Sequence, residues 1–419
     1  MNSNGASLKE SLSRLIPADR TTRIMSLSSL VNTFGNGLFM TVEVVYFTQI
    51  VGISVAKLAL ALSIAGGISL LFSIPAGHLA DRIGPRDIAT SAYVLEGIAT
   101  FILLFTRDYS VFLALNIIIG ITGTIGQTLR MATIAKIGNP EDKIKTRAYL
   151  RSVTNLGIGL GTLCAGFALW INTEFAYKSM LAIDAVTFVL AAYIFRKLPF
   201  VAPTVNRKEP ISFIALKDRK FLSATALNSV MSLHFVLQNV AIPLWVIRET
   251  SAPRWWISAI MIVNTGAVII FQVRASRGSG DLIAAAKLYR RAGFAVAVSC
   301  ILYAMSAGIP TIAACAMLIL AMLVHVFGEL IGSAGSWSIG FGLAKQEHQG
   351  QYQGVYSLSW GLGGTLGPAF VTALAIGMGK SGWAILAVMF AITGILMHKL
   401  VTGSWRHSEV PAEPLEAVS

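Results

Sequence analysis

Twelve long apolar stretches follow one another along the chain, and they limit its fold more than any other feature. They lie at about 24–48, 55–76, 88–106, 111–135, 149–171, 177–195, 221–247, 255–273, 285–307, 311–333, 353–377 and 380–402. An α-helix of about 18 residues or more can cross roughly 30 Å of hydrocarbon. Soluble domains carry roughly 25% charged residues, whereas this chain of 419 residues carries 13% and is 55% hydrophobic. The sequence therefore predicts an all-α integral membrane protein with twelve transmembrane helices.

A polar segment after the sixth stretch divides the spans into two groups of six. It contains Pro199, Pro203 and Pro210 among basic residues, which is typical of a linker. The predicted parts are an N-terminal segment (1–22), a six-helix bundle (23–196), a linker (197–220), a second six-helix bundle (221–402) and a tail (403–419). The N-terminal segment lacks the short apolar core of a cleaved signal peptide, so we expect the first span to direct insertion.

Basic residues are distributed unevenly between the two ends of these spans. With the N-terminus inside, 27 of the 33 lysines and arginines fall on the inner side. The six on the outer side are Lys57, Arg107, Lys178, Arg248, Arg254 and Lys380. Since cytoplasmic loops are enriched in basic residues, we predict that both termini and the linker are cytoplasmic. The net charge of +13 then serves orientation and contact with anionic lipid, and a nucleic-acid partner is not expected.

A ten-residue charged motif, GHLADRIGPR, lies at residues 77–86 between the second and third spans. A segment of this kind is not expected in hydrocarbon, so it predicts a tight connection at a membrane face, with Asp81 and Arg82 at helix ends. The pattern resembles the loop between the second and third helices of the major facilitator superfamily, although Pro85 replaces the usual basic residue. The matching residues are Gly77, Leu79, Asp81, Arg82, Gly84 and Arg86.

The resemblance implies a fold of two six-helix bundles that rock about a central cavity and expose it to each side in turn. It also implies that Asp81 contacts the N-terminal end of the eleventh helix, near residues 350–356, and releases it during transport. The alternative is that Asp81 caps only its own turn. Arg130, near the inner end of the fourth span, is assigned to the same gate through Asp81, the motif loop or the cavity acids. Alternatively, its long side chain reaches the inner lipid face.

The two halves also resemble each other. The sequence LGIGLGTL at 156–163 in the fifth span matches WGLGGTL at 360–366 in the eleventh, and the turn at 274–280 occupies the place of the charged motif but lacks its aspartate. Parallel six-helix repeats are found in this superfamily, although small residues also allow any two membrane helices to approach closely.

Polar residues follow one face in the first, fourth, seventh and tenth spans, which line the central cavity in the superfamily. Residues separated by three, four or seven positions share a helix face. The predicted substrate cavity comprises Asn32, Asn36, Phe39, Asn116, Gln127, His234, Gln238, Asn239 and His325. The polar residues that do not follow this pattern are Glu96, Asn155, Asp184 and Asn264.

Intramembrane carboxylates are costly and mark functional sites, so they are the candidates for proton coupling. We assign the principal role to Glu43 and secondary roles to Glu329, which lies one turn after His325, and to Asp184. Each has a structural alternative. Glu43 can bond Asn36 or a neighbouring helix, Glu329 can form a structural pair or an inner-gate contact, and Asp184 can bond a neighbouring helix backbone.

These features predict a secondary active transporter and not an enzyme, because no nucleotide-binding or catalytic motif is found. We expect a proton-coupled antiporter in the plasma (bacterial inner) membrane that exports small apolar or cationic molecules, as in multidrug resistance and metabolite efflux. Uptake of a polar nutrient such as a sugar is the alternative within transport, and a non-transporting sensor or scaffold is the alternative outside it.

The expected partners are a small-molecule substrate, protons and the lipid bilayer, and the expected oligomeric state is a monomer. No cofactor is expected, since the proton gradient supplies the energy. No metal is expected either, because Cys164, Cys300 and Cys315 lack metal-ligand spacing.

Overall fold

A computed structural model describes residues 19–136, 140–205 and 213–405, and these parts of the chain contain helices but no strand. The long helices follow the order of the predicted spans. The first six are α1 (Arg20–Val45), α2 (Val55–Leu71 continued by Ser73–Ile83), α3 (Pro85–Leu103), α4 (Tyr109–Ala135), α5 (Pro140–Ile171) and α6 (Glu174–Phe195). The other six are α7 (Arg219–Val236 continued to Glu249), α8 (Trp256–Ala275), α9 (Leu282–Met305), α10 (Thr311–Gly342), α11 (Gln349–Thr372) and α12 (Lys380–Trp405).

Ten of these helices in the described residues are long and apolar enough to cross a membrane. The other two are α1, which contains many serine, threonine and asparagine residues, and α3, which contains Arg86, Asp87 and Glu96. Both pack against other helices, with α1 against α5 and α6, and α3 against α4 and α6. Glu96 is buried within the bundle, whereas Arg86 and Asp87 lie in the first turn of α3, where Asp87 is exposed.

The packing of the first six helices repeats in the second six. In the first bundle α1 packs on α5 and α6, α3 on α4 and α6, and α2 on α4. In the second bundle α7 packs on α11 and α12, α9 on α10 and α12, and α8 on α10. The bundles meet through α2 with α11 and α5 with α8. We call the face where α1 begins and α12 ends the terminal face.

Side-chain caps define where several helices begin. The Asp19 carboxylate accepts the Thr22 amide at 2.7 Å, and Asp108, Asp218 and Asp281 cap α4, α7 and α9 in the same way. Such a cap satisfies one of the amides that have no partner in the first helical turn. Aspartate side chains therefore define helix starts at both faces of the molecule.

The charged motif is more helical than its composition suggested. The second helix continues through Asp81 and Arg82 to Ile83, and α3 begins at Pro85. Only Gly84 interrupts the helices, with φ of 96°, a conformation that glycine adopts readily. The apolar stretch ended near residue 76, but the helix extends beyond it because polar residues outside the hydrocarbon can still form helical hydrogen bonds.

The predicted linker is partly helical. A four-residue helix, Ile214–Lys217, precedes α7, while residues 206–212 lie outside the described residues. The same applies to residues 1–18 and 406–419 of the predicted terminal segments.

Wide π-helical turns occur in equivalent helices of the two bundles, α1 and α7. Tyr46–Ile50 extends α1, and Leu237–Ala241 interrupts α7. A third, Ala373–Gly377, extends α11. Such turns are rare and often found at functional sites.

Candidate functional site

Asp81 joins the two bundles at the terminal face. Its fully buried carboxylate accepts hydrogen bonds from the backbone amides of Gly350 and Gln351, both at 2.9 Å. These amides belong to the first turn of α11, where the helix dipole also favours a negative charge. The Lys136 ammonium lies 3.3 Å from the same carboxylate. The cation beside Asp81 is therefore Lys136, whereas Arg130 contacts Ser29 at 3.3 Å.

The close approach of α2 and α11 depends on two glycines. A Cβ atom at Gly77 would overlap the carbonyl oxygen of Gly350, and one at Gly350 would overlap the carbonyl oxygen of Gly77. Ser73 also bonds the Gly354 carbonyl and Ser357. Because Gly77 and Gly350 have no side chains, the two helices lie close enough for Asp81 to reach the α11 amides.

The remaining motif residues surround this contact. Arg86 donates to the Leu198 carbonyl at 3.2 Å and pairs with Asp87 at 2.9 Å, while Arg82 belongs to the last turn of α2. The equivalent turn of the second half approaches α5, since a Cβ atom at Gly280 would lie 2.6 Å from the Cγ atom of Glu141. Both halves therefore bring the turn after their second helix against the start of a helix in the other half.

A second connection between the bundles lies deeper, at Arg151 of α5. Its guanidinium bonds the Glu329 carboxylate and the Ser333 hydroxyl of α10. The other Glu329 oxygen accepts from Asn264 at 2.7 Å, and Asn264 accepts from Gln238 at 3.0 Å. Glu329 is thereby the centre of a network that links α5, α7, α8 and α10.

Aromatic rings surround the two α5 arginines. The Arg151 guanidinium lies 5.1 Å from the Phe235 ring centre, and the Arg147 guanidinium lies 5.4 Å from that of Trp337. Contacts of this kind between a cation and a ring face are attractive. They add to the bundle contact between α5 and the second half.

His234 and His325 adjoin this network, with ring centres 5.4 Å apart. Both are buried, and His325 lies 3.4 Å from the Ser299 hydroxyl. Since His234 is on α7 and His325 on α10, the residues predicted in two different spans are brought together with Glu329.

Three carboxyl groups form a second cluster inside the first bundle. Glu43 of α1 interacts electrostatically with Asp184 of α6, and Asp184 interacts with Glu96 of α3. Arg130 is the cation near Glu96. All three carboxyl groups are buried, and one Glu43 oxygen has no hydrogen-bond partner among the described residues. Glu43 thus belongs to a row of three buried acids on α1, α6 and α3.

A cavity of about 690 Å³ separates the bundles between α2, α4 and α11. Its lining includes Leu62, Ser69, Gln127, Trp360 and Thr365. It begins at the Ser73–Ser357 contact and extends along α2 and α11 away from the terminal face. In the described parts of the chain, the hydrogen bonds that join the bundles lie on the terminal-face side, so this structure is closed at that face.

The other predicted cavity residues have different environments. Asn32 is buried, while Asn36 and Phe39 are half-buried on the same helix. Asn116 is buried and donates to the Phe112 carbonyl of its own helix at 2.9 Å, and Asn239 is exposed. Among the predicted cavity residues, the structure places Gln127 on the wall of the described cavity.

The roles of Arg151, Lys136, Asn264 and Ser333 are not predicted by the sequence. Arg151 carries the clearest signal, since a basic residue within a predicted span is costly without a partner. Asn264 was recognised only as a polar exception to the four-span pattern. Lys136 lies at the end of α4 and Ser333 lies within α10. Neither differs in type or position from many other serines and lysines of the chain.

The family model of the Major Facilitator Superfamily matches residues 25–368 of this chain. The chain belongs to the major facilitator superfamily. As a member of this superfamily it is a multi-pass membrane transporter and not an enzyme. A small-molecule substrate and a lipid environment follow from this membership.

Two relatives in the superfamily have names that refer to drug resistance. The chain is 22% identical over 244 residues to the chloramphenicol resistance protein CraA of Acinetobacter baumannii, covering 55% of this chain and 57% of CraA. It is 22% identical over 201 residues to the quinolone resistance protein NorA of Staphylococcus aureus, covering 48% and 51%. The matches thus span about half the length of these relatives.

The fold is also similar to that of a solved superfamily structure, the human organic anion transporter MFSD10. The TM-score is 0.70 at 14% sequence identity, covering 91% of this chain and 100% of the other. At this identity the likeness concerns the fold alone.

Proposed function

We propose that this transporter exports small apolar or cationic molecules in exchange for protons. The row of buried acids Glu43, Asp184 and Glu96 carries the proposal. An intramembrane carboxyl group is costly, and the first bundle retains three of them with Arg130 as the neighbouring cation. Carboxyl groups that alternate between a dry and a wet environment bind and release protons, which is the requirement for coupling.

The contacts between the bundles support alternating access. Asp81 holds the start of α11, and Arg151 holds Glu329 across the same gap. Both contacts must break for the cavity to open at the terminal face. During transport these contacts break and the bundles separate at the terminal face. The acids of the first bundle then gain or lose access to water.

The direction and substrate class are supported by two observations. The cavity wall combines Leu62, Leu70 and Trp360 with serine, threonine and glutamine side chains, and none of its lining residues is charged. The relatives CraA and NorA are named for resistance to drugs. The leucine and tryptophan side chains of this wall suit small apolar or cationic molecules.

Purified protein in liposomes with an imposed pH gradient tests the proposal. We expect a cationic dye to move in the direction opposite to proton flow. The movement should stop when an ionophore removes the pH gradient. Accumulation of a sugar together with protons would instead select nutrient uptake. Movement of neither class under a gradient would contradict proton-coupled export.

A further inference from the structure

His234, His325 and Glu329 bring their ligand atoms within 4.8 Å of one another. All three residues are buried in the second bundle, with exposed fractions of 4%, 0% and 2%. They lie on two helices that pack side by side, α7 and α10. The group lies apart from the Glu43, Asp184 and Glu96 row of the first bundle.

Two ring nitrogens of this group have no hydrogen-bond partner among the described residues, Nδ1 of His234 and Nε2 of His325. A buried polar atom without a partner costs about 1–3 kcal/mol. A metal ion satisfies such a nitrogen directly, since neutral imidazole is the commonest metal ligand. The two unpartnered nitrogens therefore point to a ligand.

We propose that His234, His325 and Glu329 form a binding site for a divalent transition metal ion of the zinc class. Two imidazoles and one carboxylate suit Zn²⁺, Co²⁺ or Ni²⁺, whereas Mg²⁺ and Ca²⁺ prefer oxygen ligands. Bonds of ~2.0–2.1 Å in a tetrahedral site require ligand atoms roughly 3.3 Å apart. The ligand atoms lie within 4.8 Å of one another in this structure, so metal binding requires them to move closer together.

Metal binding at this site competes with the contact between the bundles. One Glu329 oxygen is bonded by Arg151 of α5, and the other accepts from Asn264 at 2.7 Å. A metal ion on this carboxylate lies beside the Arg151 guanidinium, which pairs with the same group, and the positive charge of Arg151 repels it. Withdrawal of Arg151 with its bundle both frees the carboxylate and removes that charge. Metal occupancy thus favours separation of the bundles at the terminal face.

Binding is tested on the full chain in lipid nanodiscs, purified through a tag without histidine. Co²⁺ is titrated while its visible absorption is recorded, and Zn²⁺ is titrated by calorimetry. We expect His234→Gln and His325→Gln each to weaken binding by at least about 10-fold, since even residues behind the ligands change affinity by roughly that factor. His398→Gln is the matched control on α12 and should leave the affinity unchanged.

Arg151→Gln provides an opposite and independent result. Removing the competing charge should tighten metal binding roughly 10-fold, within the usual range of coupling between two equilibria. Loss of the His325 ligand in the double variant Arg151→Gln with His325→Gln should abolish the tighter binding, so this outcome separates the site from metal binding by unfolded chain. Absence of saturable binding, or equal affinity in both histidine variants and the wild type, would overturn the site.

Spin labels at Lys145→Cys and Lys345→Cys, in a background without the native cysteines, measure the separation of the bundles. Both positions are exposed and lie on different bundles near the terminal face. Saturating Zn²⁺ should move the distance distribution to longer values, and His325→Gln should remove this shift. Unchanged distances at saturating Zn²⁺ would refute the competition with Arg151. Neither measurement depends on proton-coupled transport.

Discussion

At the scale of single residues, Asp81 is a buried charge with contacts in both bundles. It accepts two amides of α11 and pairs with Lys136 of its own bundle. Its carboxylate thus joins a residue of the first bundle to the backbone of the second. A change at this position acts on the balance between bundle arrangements, since it alters a contact that exists in only one of them.

We expect Asp81→Asn to impair transport far more than folding. A charge at a helix start contributes up to ~2 kcal/mol when partly buried, which corresponds to a roughly 30-fold shift of the equilibrium. The spin-label pair at positions 145 and 345 should report a larger separated population. Asp87→Asn is the matched control, because Asp87 is exposed and pairs with Arg86. Wild-type transport with unchanged distances in Asp81→Asn would remove this residue from the mechanism.

Glu43→Gln should abolish gradient-driven transport while substrate exchange without a gradient remains measurable. Glutamine keeps the size of the side chain but cannot exchange a proton. Uptake and counterflow in the same liposomes separate the two activities, and the exposed Glu249→Gln serves as control. Full gradient-driven transport by Glu43→Gln would move the coupling role to Glu329, Asp184 or Glu96.

Residue-level prediction from the sequence had a clear limit. The acids and histidines of the site stand out because polar groups are rare in apolar spans, and Asp81 was assigned its partner helix through the family motif. Their individual partners did not stand out. Arg151 reaches Glu329 across 178 residues of sequence, and helical periodicity describes only which residues share one helix face.

At the scale of helices, the contact between α2 and α11 is sensitive to side-chain size. Gly77→Ala should prevent closure at the terminal face, because the added methyl group meets the backbone of α11. Backbone cannot move aside as a flexible side chain can. Distances from the spin-label pair at positions 145 and 345 should lengthen, and transport should fall.

Gly67→Ala is the matched control on the same helix, since a Cβ atom there has no neighbour within 4 Å. Alanine also favours helix over glycine by about 1 kcal/mol, so the control should be at least as stable as the wild type. Equal transport and equal distances in the two variants would contradict the role of close helix approach.

The helices themselves followed closely from the sequence, because apolar length is a direct requirement of crossing the membrane. Their ends followed less well. The second helix runs to Ile83, beyond the apolar stretch, and polar residues such as Asp19 and Asp108 set where helices begin. The π-helical turns had no sequence signal, since they depend on local packing.

At the scale of the whole molecule, charge and helix direction agree. The six basic residues assigned to the outer side all lie near helix ends away from the terminal face, among them Lys57, Arg107 and Lys380. The terminal face carries most of the remaining positive charge. On the positive-inside rule we therefore predict that the terminal face is cytoplasmic.

An impermeant thiol reagent applied to intact cells tests this orientation. The native cysteines are removed, and a single cysteine is introduced at Ser110, on the far face, or at Lys345, on the terminal face. We expect labelling at position 110 and none at position 345 until the cells are opened. Labelling at position 345 alone would invert the orientation.

The Asp81 contact also has a consequence for the order of events during synthesis. Its α11 partner lies 269 residues later in the chain. At about 5–20 residues per second, roughly 10 to 50 seconds separate the appearance of the two ends on the ribosome. During that interval Lys136, which emerges within the same bundle, is the available counter-ion for the carboxylate. We therefore expect Lys136 to let the first bundle assemble in the membrane before α11, the second partner of Asp81, has been synthesised.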